Sequence, residues 1–498
     1  ANGMVTIDAK TVGKIYNEFL PSTRTPSLSS RLNTGGDLLI NAGNTINIKS
    51  ANLSANNITL LAGNTVSLLS TAYSAIAEPD EDNRDDRHVT TQINARRNLT
   101  LATNGDLIAS GSSLTSTGDM TLSSNGKMEF NALQNHSVRE GDKEFNESTT
   151  QQNVVLNSGG VLTLLSNSSI LFQATSLVAR GAMDVAAKGG FLYAQAMEET
   201  NHYEKESSSR TWYGKKKKGK RTYHNVNNKV TEFTAGSNIN LLSRDDSIYE
   251  ASKISAGKNA KLTSTRGQVI FKAVKNTTFE QTITTSKGFF IKNSDRGYTK
   301  DTWLLPSIHA GGQFTVDAAT GVSAAVKTRN AKSLQEALLI LSNTPGTTWL
   351  KGLNTRKDVQ WNAVQDAYST WNHTTQSLNP VVGAVIAIAV AAVTAGAGLA
   401  GMAATAAVNT AGVTGMTATV MSGAVYSGMT ALTSQAAVAL VDNKGNLTKT
   451  MQKLSSSASV KSLVTSMAVG GALAGFDQIL KTGTAVSGTQ KLPVLNNG

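Results

Sequence analysis

The chain has 498 residues, no cysteine and a formal charge of +12. The absent thiols exclude disulfides, thiolate zinc sites and cysteine nucleophiles. With 43 glycines beside only 5% aromatic and 16% charged residues, the chain has the makeup of short strands and tight turns, not of an ordinary enzyme. Much of the positive charge sits in one run, from Lys215 to Arg221, so it marks a local feature and not the whole surface. No cleavable signal opens the chain, because Ala1 to Lys10 lacks a basic stretch followed by an apolar one. With no initiating Met and an abrupt end at Gly498, the sequence reads as part of something longer.

From residue 36 a repeat sets in. Leu38, Ile40, Ile46 and Ile48 recur twenty residues later as Ile58, Leu60, Val66 and Leu68, and these eight are the expected repeat core. The unit returns at an offset of twenty-one, where Leu99, Leu101 and Leu107 recur as Met120, Leu122 and Met128. Leu162, Leu164, Ile170 and Phe172 are expected to recur as Met183, Val185, Phe191 and Tyr193. Ile239, Leu241, Ile248 and Tyr249 recur more loosely as Ala260, Leu262, Val269 and Ile270, and Phe314 begins a further copy. Within each copy apolar and polar residues alternate, the pattern of a strand with one buried face. Between the strands stand turn formers such as Ala-Gly-Asn and Thr-Asn-Gly-Asp. A β-sandwich also has short alternating strands, but it does not hold a fixed period with matching turns. The expectation is therefore a mainly β chain: over residues 1–320, a right-handed parallel β-helix whose stacked rungs bury what one rung cannot.

Long polar insertions separate pairs of rungs, near 70–94, 131–153, 194–234 and 273–309. Insertions in a solenoid map to one corner, and Thr/Glu alternation at their ends points to hairpin arms. The third insertion holds Arg210-Thr-Trp-Tyr-Gly-Lys-Lys-Lys-Lys-Gly-Lys-Arg. Trp212, Tyr213, Lys215, Lys216, Lys217, Lys218, Lys220 and Arg221 form the candidate site for an anionic surface, either anionic lipid or lipopolysaccharide. The bland alternative is a solubilising hairpin tip. Nucleic acid is not expected as a partner.

After the rungs the texture changes. Residues 321–379 read as a helical linker, with helices from Ala331 and over Val359 to Ser377, broken at Pro345-Gly346. Residues 380–481 read as an Ala/Gly-rich, apolar helical domain, and 482–498 as a linker. The stretch from Pro380 to Val408 is long enough for a transmembrane helix, and equally suits a buried helical hairpin.

No chemistry emerges from the motifs. The six histidines, His88, His136, His202, His224, His309 and His373, show no metal-ligand spacing, and for His202 and His224 the bland reading is a solvated loop. His202 and His224 flank the basic run and are placed to meet across a hairpin. The Asp80 to Asp86 cluster lacks the spaced calcium-loop pattern, is interrupted by Arg84, and also reads as a solvated loop. No G-x-S-x-G elbow appears, and no acidic cluster recurs on successive rungs as polysaccharide cleavage would need. Catalytic residues, metal sites and cofactors are not expected, and the chain is read as non-enzymatic.

Two features carry a family resemblance. The paired rungs Gly-Gly-Asp-Leu-Leu-Ile-Asn-Ala-Gly-Asn-Thr-Ile and Ala-Arg-Arg-Asn-Leu-Thr-Leu-Ala-Thr-Asn-Gly-Asp-Leu resemble filamentous haemagglutinin repeats. Val441-Asp-Asn-Lys-Gly-Asn, after its Ala/Gly-rich stretch, resembles the haemagglutinin-associated segment that precedes toxin tips, although no Val-Glu-Asn-Asn marker is present. The family comprises two-partner-secretion exoproteins, including contact-dependent growth inhibition effectors. The resemblance implies a secreted or cell-surface protein exported through the periplasm by an outer-membrane transporter, and a stalk that helps move a C-terminal toxin across a target cell's outer membrane. The alternative it leaves open is an adhesin that binds host or neighbouring cells.

Overall fold

The computed structural model describes residues 3–378, apart from 9–14, 18–19, 26–29, 77–78, 211–215, 288–289 and 329–332. The chain divides into two units at Pro380. The Ala/Gly-rich segment 380–481, its candidate membrane stretch and the linker 482–498 all lie outside the described residues.

The described unit is mainly β. It holds three parallel sheets, two of nine strands and one of eleven. The chain visits them in rotation. Ser30–Asn33 lies in the first wall, Leu38–Ala42 in the second and Ile46–Lys49 in the third, before Ala51–Ala55 returns to the first. Eight more circuits follow among the described residues, each stacked on the one before, an arrangement compatible with the expected β-helix. The walls form because each strand alternates. In Ile58–Ala62 the first, third and fifth residues are buried, and each later counterpart through Ala260–Ser264 does the same.

The register matches the core repeat. Leu38 pairs with Ile58, Ile40 with Leu60, Ile46 with Val66 and Ile48 with Leu68. Leu38 is only partly buried, whereas Ile46, Ile48, Ile58, Leu60, Val66 and Leu68 are fully enclosed. Two later pairings differ from the sequence expectation by one residue. Ile170 pairs with Leu192 and Phe172 with Ala194, not with Phe191 and Tyr193. Ile248 pairs with Ile270 and Tyr249 with Phe271, not with Val269 and Ile270. Both circuits carry one extra residue in the turn before the third wall, at Gly189-Gly190 and at Gly267-Gln268. A one-residue slip would send the apolar set to the wrong face, so the turn takes up the extra residue and the strand keeps its phase.

Inside the stack the larger rings meet in sequence. Phe130 stacks on Phe172 at 5.1 Å, and Phe172 meets Phe233 edge-on at 5.5 Å. Tyr249 stacks on Phe271 at 5.8 Å, and Trp349 lies 4.6 Å from Phe271. Trp349 precedes a short helix, Leu350–Leu353, whose Leu350 and Leu353 are also buried in the core. This segment closes the end of the apolar column, as capping elements do in repeat proteins.

Backbone amides at the turns are satisfied from coil to coil. The Asp37 carboxylate accepts from the Asn57 amide at 3.0 Å. The Asn57 side chain accepts from Asn98 at 3.2 Å, Asn98 from Asp119 at 2.9 Å and Asp119 from Val161 at 2.8 Å. Such a ladder needs a short side chain carrying an acceptor at the same turn position in each coil.

The helical expectation for 321–379 is corrected. Val322–Thr328 and Val359–Gln365 are parallel strands of the third wall, and Ala367–Leu378 is a strand of the arm sheet described below. Among the described residues helix is confined to Leu334–Ser342, with Ser333 accepting from the Glu336 amide as N-cap, and to Leu350–Leu353. Ala367–Leu378 is rich in Thr, Ser and aromatic residues, and an open sheet edge offered its backbone a partner.

The close stacking predicts which glycines are needed. A methyl group on Gly63 would collide with the backbone oxygen of Gly43 one coil below, whereas one on Gly36 meets only Thr34 at 3.9 Å. Gly63→Ala is expected to cost about 2–4 kcal/mol in urea unfolding, and Gly36→Ala less than about 0.5 kcal/mol. Equal values for the two would contradict the stacking.

Candidate functional site

The corner between the third and first walls alternates in kind. In every second coil it is one residue with positive φ: Ser50, Gly111, Ala174 or Ala251. In the coils between, the corner opens into the predicted insertions. They are not separate loops. Thr71–Ser74 with Asn83–Val89, Leu133–Glu140 with Glu144–Gln152, Met197–Arg210 with Lys216–Lys229, and Val274–Lys287 with Phe290–Leu304 are four hairpin arms. Together with Ala367–Leu378 they form one nine-stranded antiparallel sheet in chain order. The reason is metric. Two coils rise by two strand spacings, roughly 10 Å, which is the width of one two-stranded arm.

The third arm is rooted in a buried polar knot. Glu250 accepts from the Tyr193 hydroxyl at 2.7 Å and from the Ala196 amide at 3.0 Å, and pairs with Lys272 at 2.7 Å. Burial, with the Glu250 charge beside it, pushes the Tyr193 hydroxyl well above its usual pKa.

The structure distributes the candidate basic site unevenly. Lys216, Lys217 and Lys218 are exposed at the far end of the third arm and make no ion pair among the described residues. Lys220 is neutralised by Glu204 at 2.7 Å, and Arg221 by Glu280 at 2.7 Å. Trp212, Tyr213 and Lys215 lie outside the described residues. In register, Lys216 stands between Arg210 and Lys287 on neighbouring strands. Like charges in directly opposed positions are destabilising.

The solvated-loop reading of several charged residues is corrected. His136 and Glu147 are buried and joined at 2.7 Å, leaving His136 Nδ1 and Glu147 Oε2 without partners. Glu147 stands opposite His202 in register, and His202 stands opposite His224, with ring centroids 5.6 Å apart. His202 also faces Glu204 at 3.6 Å. Asp85 and Asp86 lie on a strand, bound to Arg87 and Arg84. The sequence does not show which arms lie side by side, so the facing of Glu147 and His202 was hidden, and it does not fix the register within a hairpin, so the His136–Glu147 pair was hidden too. Only the His202–His224 approach, within one hairpin, was legible.

Burial tends to raise the Glu204 carboxyl, but hydrogen bonds from His202 and Lys220 hold it below its ordinary value. Burial, and then the His202 charge, lower His224 to about 4. Among the described residues no three His, Asp or Glu side chains are grouped to hold a metal ion. A shallow groove of about 430 Å³ runs over the turns at Asn104, Asn125 and Asn167, but these amides bond to one another and do not converge on a ligand. Among the described residues no helix is long and apolar enough to cross a membrane.

Comparison with known proteins yields one match. A family described as possible hemagglutinin (DUF637) matches residues 424–498. No curated protein and no solved structure matches the chain. The match supports a haemagglutinin-like family and suggests a secreted or cell-surface protein. It covers residues that lie beyond the described structure.

The His224 shift fixes a pH dependence. Between pH 6.5 and 4 the unfolded chain takes up a proton that the folded arm refuses. The arm's stability is therefore full above pH 6.5, falls as the pH drops, and levels off near 4. Because solvent reaches part of the ring, the loss from pH 7 to pH 5 is expected to be about 1–2 kcal/mol. Amide exchange of the third arm reads it, and His224→Gln should flatten the slope.

Proposed function

We propose that this chain is the structural stalk of a secreted bacterial surface exoprotein, one that contacts a target cell and helps deliver a C-terminal toxin across its outer membrane. The observation that carries engagement of the target's outer membrane is the arm sheet, whose third arm holds three exposed lysines at its far end, with no ion pair among the described residues. Those lysines suit phosphate-bearing surfaces, either anionic lipid or lipopolysaccharide, and nucleic acid is not the expected partner. The stalk reading goes with a right-handed parallel β-helix, the hand that parallel crossovers take in almost all cases. Export uses an outer-membrane two-partner-secretion transporter, as the repeat resemblance implies. The delivery role draws on the possible-hemagglutinin match at 424–498, in the segment whose sequence resembles a pretoxin region. On this reading the described part is non-enzymatic, and its side chains position and attach.

The second reading is a plain adhesin, favoured by the same lysines without any toxin. One replacement separates the two. Met197–Val230 gives way to a single Gly, the type of corner already present at Gly111. Delivery predicts that cells displaying the full exoprotein still attach to targets but inhibit their growth at least roughly tenfold less. Adhesion predicts a comparable fall in attachment itself. Unchanged attachment and unchanged inhibition would remove the third arm from both readings.

A further inference from the structure

The two faces of the arm sheet differ in kind. One holds the buried row of His136, Glu147, His202 and Glu204. The opposite face carries tyrosines in register. Tyr203 stands across from Tyr223, Tyr223 from Glu280 on the next strand, and Glu280 from Tyr298. Tyr368, on the last strand, lies diagonal to Tyr298 with ring centroids 5.9 Å apart. Strand alternation places all four rings on this side. None is buried, and Tyr368 is 67% exposed.

What surrounds the rings decides the ligand. Neighbouring positions on the same face are Asn225, Thr278 and Thr282, all carrying short hydrogen-bonding groups. Arg296 and Lys300 flank Tyr298 on its own strand, on the same face, with no ion pair among the described residues. The nearest acid, Glu280, is already engaged by Arg221 through two hydrogen bonds, at 2.7 and 3.1 Å. Thus the face offers flat rings, amides, hydroxyls and unpaired cations, with no free carboxylate and no aliphatic cluster.

We infer that this face binds an acidic glycan chain. Tyrosine rings stack against the C–H faces of pyranose sugars while their hydroxyls stay solvated. Asn and Thr match sugar hydroxyls, and Arg296 and Lys300 match the carboxylates of uronic acids. A protein partner would call for an apolar centre, which this face lacks. Single-stranded nucleic acid would call for a basic groove that follows every phosphate, whereas here Thr and Asn separate the cations. The inference deepens the surface-contact reading, and rests on it only for where the glycan is met.

The test uses the purified 498-residue chain and isothermal titration with oligogalacturonate, its methyl-esterified neutral form, and oligothymidylate of matched charge. Oligogalacturonate is expected to bind, and the methyl ester to bind at least roughly tenfold more weakly. Tyr223→Ala and Tyr298→Ala should each lose roughly tenfold, the effect of one stacked ring, and Arg296→Gln a similar factor. Tyr223→Phe and Tyr298→Phe keep the rings and guard against misfolding, so they should stay within about threefold. Lys218→Gln, on the opposite face, should change nothing. The inference is overturned if the alanine variants bind as the parent does, if the phenylalanine variants fail equally, or if oligothymidylate binds as tightly. These results concern the face alone. A failure of cell attachment after removal of the third arm's lysines would instead bear on the surface-contact reading.

Discussion

The rise of one strand spacing per coil is the constraint on which the rest depends. It sets each apolar residue over its counterpart, so that Leu60 covers Ile40 and Leu101 covers Leu60. It also brings turn backbones so close that a methyl on Gly63 has no room, and it lets one carboxylate or amide satisfy the next coil's N–H. Because two coils rise by the width of one hairpin, the same distance makes separate insertions into a continuous sheet. The arms thus inherit their spacing from the core.

That inheritance explains the odd chemistry of the arm sheet. A lone two-stranded hairpin is marginal in water. Nine strands side by side hide enough surface to bury His136 and Glu147 and to hold His224 uncharged. The price is strain between like charges at the far end, where Arg210, Lys216 and Lys287 stand in register. Farther in, charges on both faces are balanced, since Glu204 takes Lys220 and Glu280 takes Arg221. Among the described residues of the third arm, Lys216, Lys217 and Lys218, far from its root, keep their charge unbalanced.

The coil was readable because its information is local and repeated. Alternation gave the strands, turn residues gave the corners, and the twenty-residue offset gave the pairing of Ile46 with Val66. It failed where one residue was added to a turn, as before Leu192, since a count of residues does not reveal whether the turn or the strand takes up the excess. It failed again over Val359 to Ser377, read as a helix, where available sheet edges chose two strands.

The sequence by itself determined the repeat, the buried set, the positions of the four insertions and the basic run at Lys216 to Arg221. Tertiary structure alone decided that the insertions pair with one another, that Glu147 faces His202, and that Tyr203, Tyr223, Tyr298 and Tyr368 share one face. The physical reason is range. A strand's phase is written in neighbouring residues, but cross-strand partners in the arm sheet lie as far apart in sequence as Phe290 and Leu378, and only the pitch of the stacked coils brings them level.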